Sequence, residues 1–239
     1  MTGQPTAGTV IDGGAEVVGG FARLRRSARR CLALGVIPLA LSVLWWPGSA
    51  RAESVADGAR ARVESLLDEG MKLLAGEEVT SQNFVDGFHR LFREYFAVGS
   101  IGKWTLGRHW NRATPEQRRE YLRLFEDFVV LAEVKRFRKY TGGRVNVIRA
   151  AVNNENAATV YTEAVREQDN TRININWRVG RQGDVYKITD VVVEGTSMSQ
   201  TMRSDFGATI RKRGNSVAGL IDDLREKVSA LEAEVNREG

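Results

Sequence analysis

Residues 172–180 read Arg-Ile-Asn-Ile-Asn-Trp-Arg-Val-Gly, and this stretch decides the fold class. Apolar and polar side chains alternate along it without a break. Such an alternation is typical of a β-strand, in which successive side chains point to opposite faces of the sheet. The apolar face consists of Ile173, Ile175, Trp177 and Val179. We therefore predict a strand with one face packed against a core.

Three further segments rich in β-branched residues lie close to this strand. The four predicted strands cover residues 144–152, 157–167, 172–180 and 185–194. Clusters of residues that favour turns separate them, at 153–156, 168–171 and 181–184. Connections this short join antiparallel neighbours, since parallel strands need a long crossover. The sequence therefore predicts a four-stranded antiparallel sheet.

Helical spacing of apolar residues dominates the chain on either side of the predicted sheet. The predicted helices run from Glu53 to Ala75, from a cap at Thr80 or Ser81 through Phe96, over a short segment from Gly99 to Trp110, from Pro115 to about Tyr140, from Met198 to Gly214, and from Val217 through Leu231. Residues 114–117 and 197–200 have the composition of capping boxes. Helices segregated from an antiparallel sheet define the α+β class, and we predict one domain over residues 53–239.

The first 52 residues have the composition of an export signal. Five arginines between positions 23 and 30 precede an uncharged, mostly apolar run over residues 31–46, and Ala50-Arg51-Ala52 offers small residues to a signal peptidase. We predict a signal peptide over residues 1–52, cleaved after Ala52, and a periplasmic mature protein. The alternative is an uncleaved N-terminal anchor.

The charge of the chain also belongs mainly to this leader. The whole sequence has a formal charge of +5, but residues 53–239 hold 29 basic and 28 acidic residues. A nearly neutral domain gives no general electrostatic reason to expect binding to nucleic acid. We therefore expect no nucleic-acid partner.

Residues suited to catalysis or metal binding are few. The single cysteine, Cys31, lies in the leader, and His89 and His109 are the only histidines. We interpret both histidines as packing or surface residues. Asp190 and Glu194 share one face of a predicted strand, as an acid/base pair would, but we interpret them as solvated carboxylates at a strand end. The sequence thus predicts a protein that is not an enzyme and has no metal or cofactor.

Residues 105–117 read Thr-Leu-Gly-Arg-His-Trp-Asn-Arg-Ala-Thr-Pro-Glu-Gln. Together with residues 121–140 and Gly142, they resemble a segment of the MlaC family, the periplasmic phospholipid-binding components of the Mla transport system, also called toluene-tolerance auxiliary proteins. The resemblance covers about residues 60–228 and departs from the family at 169–171, where a Gly-Pro-rich turn is common. It continues at Trp177-Arg178, Asp190-Val191, residues 193–198, Arg203, Phe206, Gly214 and residues 220–224.

The resemblance implies a strongly twisted antiparallel sheet packed on a helical layer, related to the NTF2-like shape, with lipid tails between the two layers. It implies a phospholipid ligand, held by its acyl chains in an apolar pocket. It also implies two membrane partners, an inner-membrane complex of an MCE protein with an ABC transporter and an outer-membrane complex of a lipoprotein with a porin. Combining the resemblance with the apolar spacing, we predict a pocket lined by Phe92, Phe96, Leu106, Phe125, Phe128, Ile173, Ile175, Trp177, Met202 and Phe206.

Three other functions remain open on the sequence. A carrier of hopanoids or other polycyclic lipids, from a branch of the same family, needs the same apolar lining. An isomerase or dehydratase on the NTF2-like shape requires a buried acid or histidine in its pocket. A purely structural envelope protein would have a solid core with no lipid-sized cavity.

Overall fold

A computed structural model describes residues 54–76, 81–138, 143–166 and 168–237. The predicted signal peptide, its cleavage site and the alternative helix cap at Thr80 lie outside these residues. None of the helices in the described ranges is both long enough and apolar enough to cross a membrane.

Four helices precede the sheet and two follow it, which confirms the α+β class. The helices are α1 (Val55–Leu74), α2 (Ser81–Tyr95), α3 (Val98–Leu106), α4 (Pro115–Arg138), α5 (Met198–Lys212) and α6 (Val217–Arg237), with a 3₁₀ helix at Gly107–Arg112. The strands are β1 (Gly143–Asn154), β2 (Ala157–Arg166), β3 (Arg172–Gln182), β4 (Val185–Val193) and β5 (Thr196–Ser197).

The sheet has five strands, so the predicted number of four is wrong. The strands follow one another in the order β1-β2-β3-β4-β5, and every neighbouring pair is antiparallel. Glu194 and Gly195 have φ angles of 46° and 81°, the backbone conformation of a two-residue hairpin turn. This turn brings Ser197 back against Val192 and forms the short strand β5.

A β-bulge interrupts the pairing of β3 with β4. Arg178 lies opposite Asp190, but the next residue, Val179, lies opposite Ile188. Thr189 is therefore the extra residue, and such an insertion bends a strand and changes the direction of its side chains. It allows Ile188 to join the apolar residues beside Val179 while Asp190 faces Arg178.

The predicted capping box at residues 114–117 is confirmed, and the one at residues 197–200 is confirmed for its N-cap bond. The backbone N–H of Gln117 donates to Thr114 Oγ1 at 3.2 Å, and the backbone N–H of Thr114 donates to Gln117 Oε1 at 3.0 Å. At the start of α5, the N–H of Gln200 donates to Ser197 Oγ at 3.1 Å. These contacts satisfy backbone donors that the first helical turn leaves free, and so fix where α4 and α5 begin.

Buried apolar residues form two clusters. The helical cluster is built from α2–α6 and contains, among others, Phe92, Ile101, Leu106, Tyr121, Leu124, Phe125, Phe206, Leu220 and Leu224. The sheet cluster lies between α1 and the strands and contains Ala59, Val63, Leu66, Leu91, Tyr95, Ala158, Val160, Val179 and Ile188. Leu73 and Phe96 pack against both clusters, and they mark the seam between them.

Hydrogen bonds between distant elements include one at the seam and one between α4 and α6. At the seam, the backbone N–H of Ala97 donates to the carbonyl of Ile188 at 2.9 Å, so the junction of α2 and α3 is attached to β4. Within the helical cluster, α6 packs along α4, and Arg225 Nε donates to Glu120 Oε1 at 2.9 Å.

Candidate functional site

A cleft of about 520 Å³, here called the first cleft, opens where α3, the β3–β4 pair and the start of α5 meet. Ile101, a buried member of the helical cluster, lies in its wall, so the apolar interior borders the cleft at this residue. The other lining side chains are mostly polar. The lining consists of Ser100, Ile101, Trp104, Arg178, Thr189, Asp190, Ser197, Ser199 and Gln200.

Asp190 is buried in the wall of the first cleft, and our interpretation of it as a solvated carboxylate is wrong. One carboxylate oxygen accepts from Ser197 Oγ at 2.6 Å and from Arg178 Nη1 at 3.1 Å. The other accepts from the hydroxyl and the backbone N–H of Ser199, at 2.7 Å and 3.1 Å. A carboxylate with four donors is fully satisfied, so Asp190 joins β3, β4 and α5 rather than acting as a base.

Glu194 does not form a pair with Asp190. It lies in the turn between β4 and β5, where its exposed side chain accepts a hydrogen bond from the backbone N–H of Asn174. The turn takes it out of the strand periodicity that placed both carboxylates on one face.

A second cleft, of about 490 Å³, lies beside the first and shares Ser100 and Trp104 with it. Among the described residues that line it, none is acidic and three are basic. The lining consists of Ser100, Lys103, Trp104, Gly107, Arg108, Trp110, Asn111 and Arg203.

The side chain of Arg203 lines the second cleft and is held against Trp104, which lines both clefts. Its guanidinium lies 4.7 Å from the centroid of the Trp104 ring and donates to the Trp104 carbonyl at 2.5 Å. Gly107 makes room for it, since a Cβ at this residue would lie 3.0 Å from the guanidinium carbon. The φ angle of Gly107 is 58°, a conformation that other residues rarely adopt. Gly107 therefore ends α3 and positions Arg203.

The structure brings together most of the predicted lining residues, but not at the clefts. Four are buried in the helical cluster (Phe92, Leu106, Phe125 and Phe206), and three pack against it (Phe96, Phe128 and Met202). Trp177 packs against the sheet cluster, while Ile173 and Ile175 are half-buried on β3 and belong to neither cluster. None of the ten lines either cleft. The apolar lining stays a prediction.

Apolar spacing does not predict the residues that line the clefts, because most of them are polar. The sequence nevertheless contains a signal for them. Arg178, Asp190 and Ser197 of the first cleft, and Arg203 of the second, all belong to the segments that carry the family resemblance.

Neither of the two histidines is among the residues that line a cleft. His89 Nδ1 is 2.9 Å from Glu126 Oε1, in a polar contact between α2 and α4. His109 is buried in the 3₁₀ helix, and burial, followed by the positive charges of Arg108, Arg112 and Arg211, lowers its pKa. Within the described part of the chain, no group of His, Cys, Asp and Glu side chains is arranged to hold a metal ion.

Two comparisons with known proteins identify relatives of this architecture. A family model described as "MlaC protein" matches residues 64–226. Among solved structures, the chain is similar to a phospholipid-binding protein from Ralstonia solanacearum in complex with a phospholipid. The two share 20% sequence identity with a TM-score of 0.64, over 73% of this chain and 98% of that one. At this identity, the similarity supports a common fold.

Proposed function

The chain belongs to the MlaC family, and on this basis we propose that it is a non-enzymatic carrier of phospholipid. The proposed site of action is the periplasm, where the protein exchanges lipid with two membrane complexes. One is the inner-membrane complex of an MCE protein and an ABC transporter, and the other is the outer-membrane complex of a lipoprotein and a porin.

The observation that carries this proposal is the position of the first cleft against the apolar interior. The cleft has a polar rim and borders the helical cluster at Ile101. A phospholipid has the same division, with a polar head and apolar tails. We propose that the tails pass Ile101 towards the seam at Leu73 and Phe96, where the two clusters meet.

The energetics favour a carrier with such an interior. Burial of one methylene group contributes about 0.8 kcal/mol, so a free phospholipid with dozens of methylenes does not cross water at a useful rate. Inside the protein, the tails would exchange contacts with a bilayer for contacts with residues such as Phe92, Phe96 and Phe128. Transfer then becomes a nearly balanced exchange between apolar surroundings.

The geometry of the titratable groups also favours a carrier over an isomerase or dehydratase. Among the described residues that line the first cleft, Asp190 is the one carboxylate, and Arg178, Ser197 and Ser199 donate to it. A general base must be free to take a proton from a substrate. The proposal therefore assigns Asp190 to the structure of the rim.

Mass spectrometry of lipids extracted from the purified mature protein tests the proposal. We expect phospholipid in an amount comparable to the protein. Recovery of hopanoids in place of phospholipids would assign the chain to the polycyclic-lipid branch. Recovery of no lipid, together with failure to take up phospholipid from vesicles, would favour the structural alternative.

Phe128→Trp and Ile175→Trp test the predicted lining. Each adds a larger ring where we expect the tails, and we expect each to reduce retained phospholipid per protein at least about twofold, because tail and side chain compete for one volume. Val185→Trp is the matched control, since Val185 is exposed at the β3–β4 hairpin. Thermal unfolding checks that every variant is folded. Normal loading of both test variants would show that the tails lie elsewhere.

A further inference from the structure

The second cleft has a concentration of positive charge, which has no role in binding uncharged lipid tails. Lys103, Arg108 and Arg203 all line it. Among the described residues, Lys103 and Arg108 have no acidic side chain within ion-pair distance, and both are exposed. Unpaired cations in a concave site attract an anion from solution, since no acidic side chain of the protein neutralises their charge.

A buried histidine follows one of the cleft's arginines in the chain. His109 lies next to Arg108 in the 3₁₀ helix, and burial, followed by the positive charges of Arg108, Arg112 and Arg211, lowers its pKa. Of these three arginines, Arg108 also lines the second cleft.

Two tryptophans give the cleft the character of a boundary between apolar and aqueous surroundings. Trp104 and Trp110 both line it, and each ring has an arginine above it, Arg203 at 4.7 Å and Arg118 at 5.2 Å from the ring centroid. Tryptophan is favoured where one side of a site is apolar and the other is wet. Trp104 also lines the first cleft, so an anion in the second cleft would lie beside a tail that enters the first.

We propose that the second cleft binds the phosphate group of the carried phospholipid, an inference that rests on the proposed function. A phosphodiester is an anion whose oxygens accept charge-assisted hydrogen bonds from ammonium and guanidinium groups. Lys103 and Arg108 supply these donors, Arg203 is already positioned by Trp104, and Ser100 and Asn111 add neutral ones. The carrier thus distinguishes lipids that have a phosphate from apolar lipids with the same tails.

Lipid competition tests this inference. Delipidated mature protein is incubated with vesicles that contain equal amounts of dioleoyl phosphatidylglycerol and dioleoylglycerol, and bound lipids are quantified by mass spectrometry. The tails are identical, so the ratio of the two lipids measures recognition of the headgroup. We expect wild-type protein to prefer phosphatidylglycerol, and Lys103→Gln/Arg108→Gln to lower the ratio about tenfold, the change produced by losing roughly one charge-assisted hydrogen bond.

Arg144→Gln/Lys212→Gln is the matched control. Both residues are exposed and lie outside the clefts. Their substitution removes one lysine and one arginine charge, as in the test variant. We expect the control to keep the wild-type ratio. An equal fall in both double variants would assign the preference to overall charge and contradict a phosphate site in the cleft.

Two further outcomes separate this inference from the proposed function. Wild-type protein that loads both lipids equally contradicts only the phosphate site, because tail binding remains. Wild-type protein that takes up neither lipid contradicts the proposed function and the phosphate site with it. In a parallel titration, saturable binding of inorganic phosphate without a preference between the lipids would make the cleft a site for free phosphate, and would overturn its assignment to the lipid head.

Discussion

At the scale of single residues, Asp190 is the polar group on which the rim of the first cleft depends. It accepts from Ser197, Ser199 and Arg178, and Asp190→Asn replaces one acceptor with an N–H that faces donors. We expect the free energy of unfolding in urea to fall by about 1.5–3 kcal/mol, the value of hydrogen bonds to a charged group.

Asp184→Asn is the control for this substitution. Asp184 is fully exposed, and its ion pair with Arg181 Nη2 is long, at 3.9 Å. Its effect should remain within about 0.5 kcal/mol. Retained phospholipid per folded molecule should not change in Asp190→Asn. Equal stability of the two variants would contradict the structural role of Asp190.

His109 predicts a dependence of stability on pH. It is buried, Nδ1 has no hydrogen-bond partner among the described residues, and burial, ahead of the nearby arginines, lowers its pKa. The unfolded chain therefore binds a proton at a pH where the folded chain does not. The stability contributed by neutral His109 is complete above the unfolded pKa of about 6.5 and is lost as the pH falls below it, by at most about 1.4 kcal/mol per pH unit.

Thermal unfolding between about pH 7.5 and about pH 5 measures this effect. The Tm of wild-type protein should fall further over this range than the Tm of His109→Gln. His89→Gln is the control for the loss of a histidine, because it removes the other histidine of the chain. Parallel curves for wild type and His109→Gln would show that His109 does not govern the response.

At the scale of elements, two glycines of α1 distinguish packing from helix propensity. A Cβ on Gly58 would lie 2.3 Å from the ring of Tyr186, whereas a Cβ on Gly70 would have nothing within 4 Å. Gly70→Ala should raise the free energy of unfolding by about 0.5–1 kcal/mol, because alanine favours the helix. Gly58→Ala should lower it by about 1 kcal/mol, because either α1 or the Tyr186 ring must leave its packed position. Two equal shifts in a urea titration would contradict close packing of α1 on Tyr186.

The elements also show what the sequence predicts and where it fails. The period-two pattern at Ile173, Ile175 and Trp177 predicts β3. The short connections between neighbouring strands predict the antiparallel order. The two-residue strand β5 has no period to detect, and the positive φ of Glu194 that creates it is a property of the folded turn. Long, periodic elements can thus be predicted, but short ones produced by a turn cannot.

The candidate site was harder to predict because its residues come from separate elements. Ser100, Arg178 and Ser199 line the first cleft from α3, β3 and α5. Only the packing of helices on the sheet brings them together, so no local pattern contains them. Apolar spacing did find residues of the interior, such as Phe125 and Phe206, because burial acts on each element separately.

At the scale of the whole molecule, export is the prediction that determines where the proposed carrier would act. We expect the signal peptide to be cleaved after Ala52, since Ala50 and Ala52 are the small residues that the peptidase reads. N-terminal sequencing of periplasmic protein should then begin at Glu53. Protein that begins at Met1 and fractionates with the inner membrane would instead support the uncleaved anchor.

The packing of α6 along α4 has a consequence for the order of folding. The sheet assembles from hairpins between consecutive strands, but Arg225 and Glu120, which join α6 to α4, are 105 residues apart. Contacts so distant in sequence form late, because a long loop must close first. A chain that emerges N-terminus first therefore presents the apolar face of α4, with Leu124 and Phe125, before Leu220 and Leu224 are available to cover it. During this interval the nascent chain itself exposes apolar surface to water, and it needs a chaperone or fast completion of α6 to avoid aggregation.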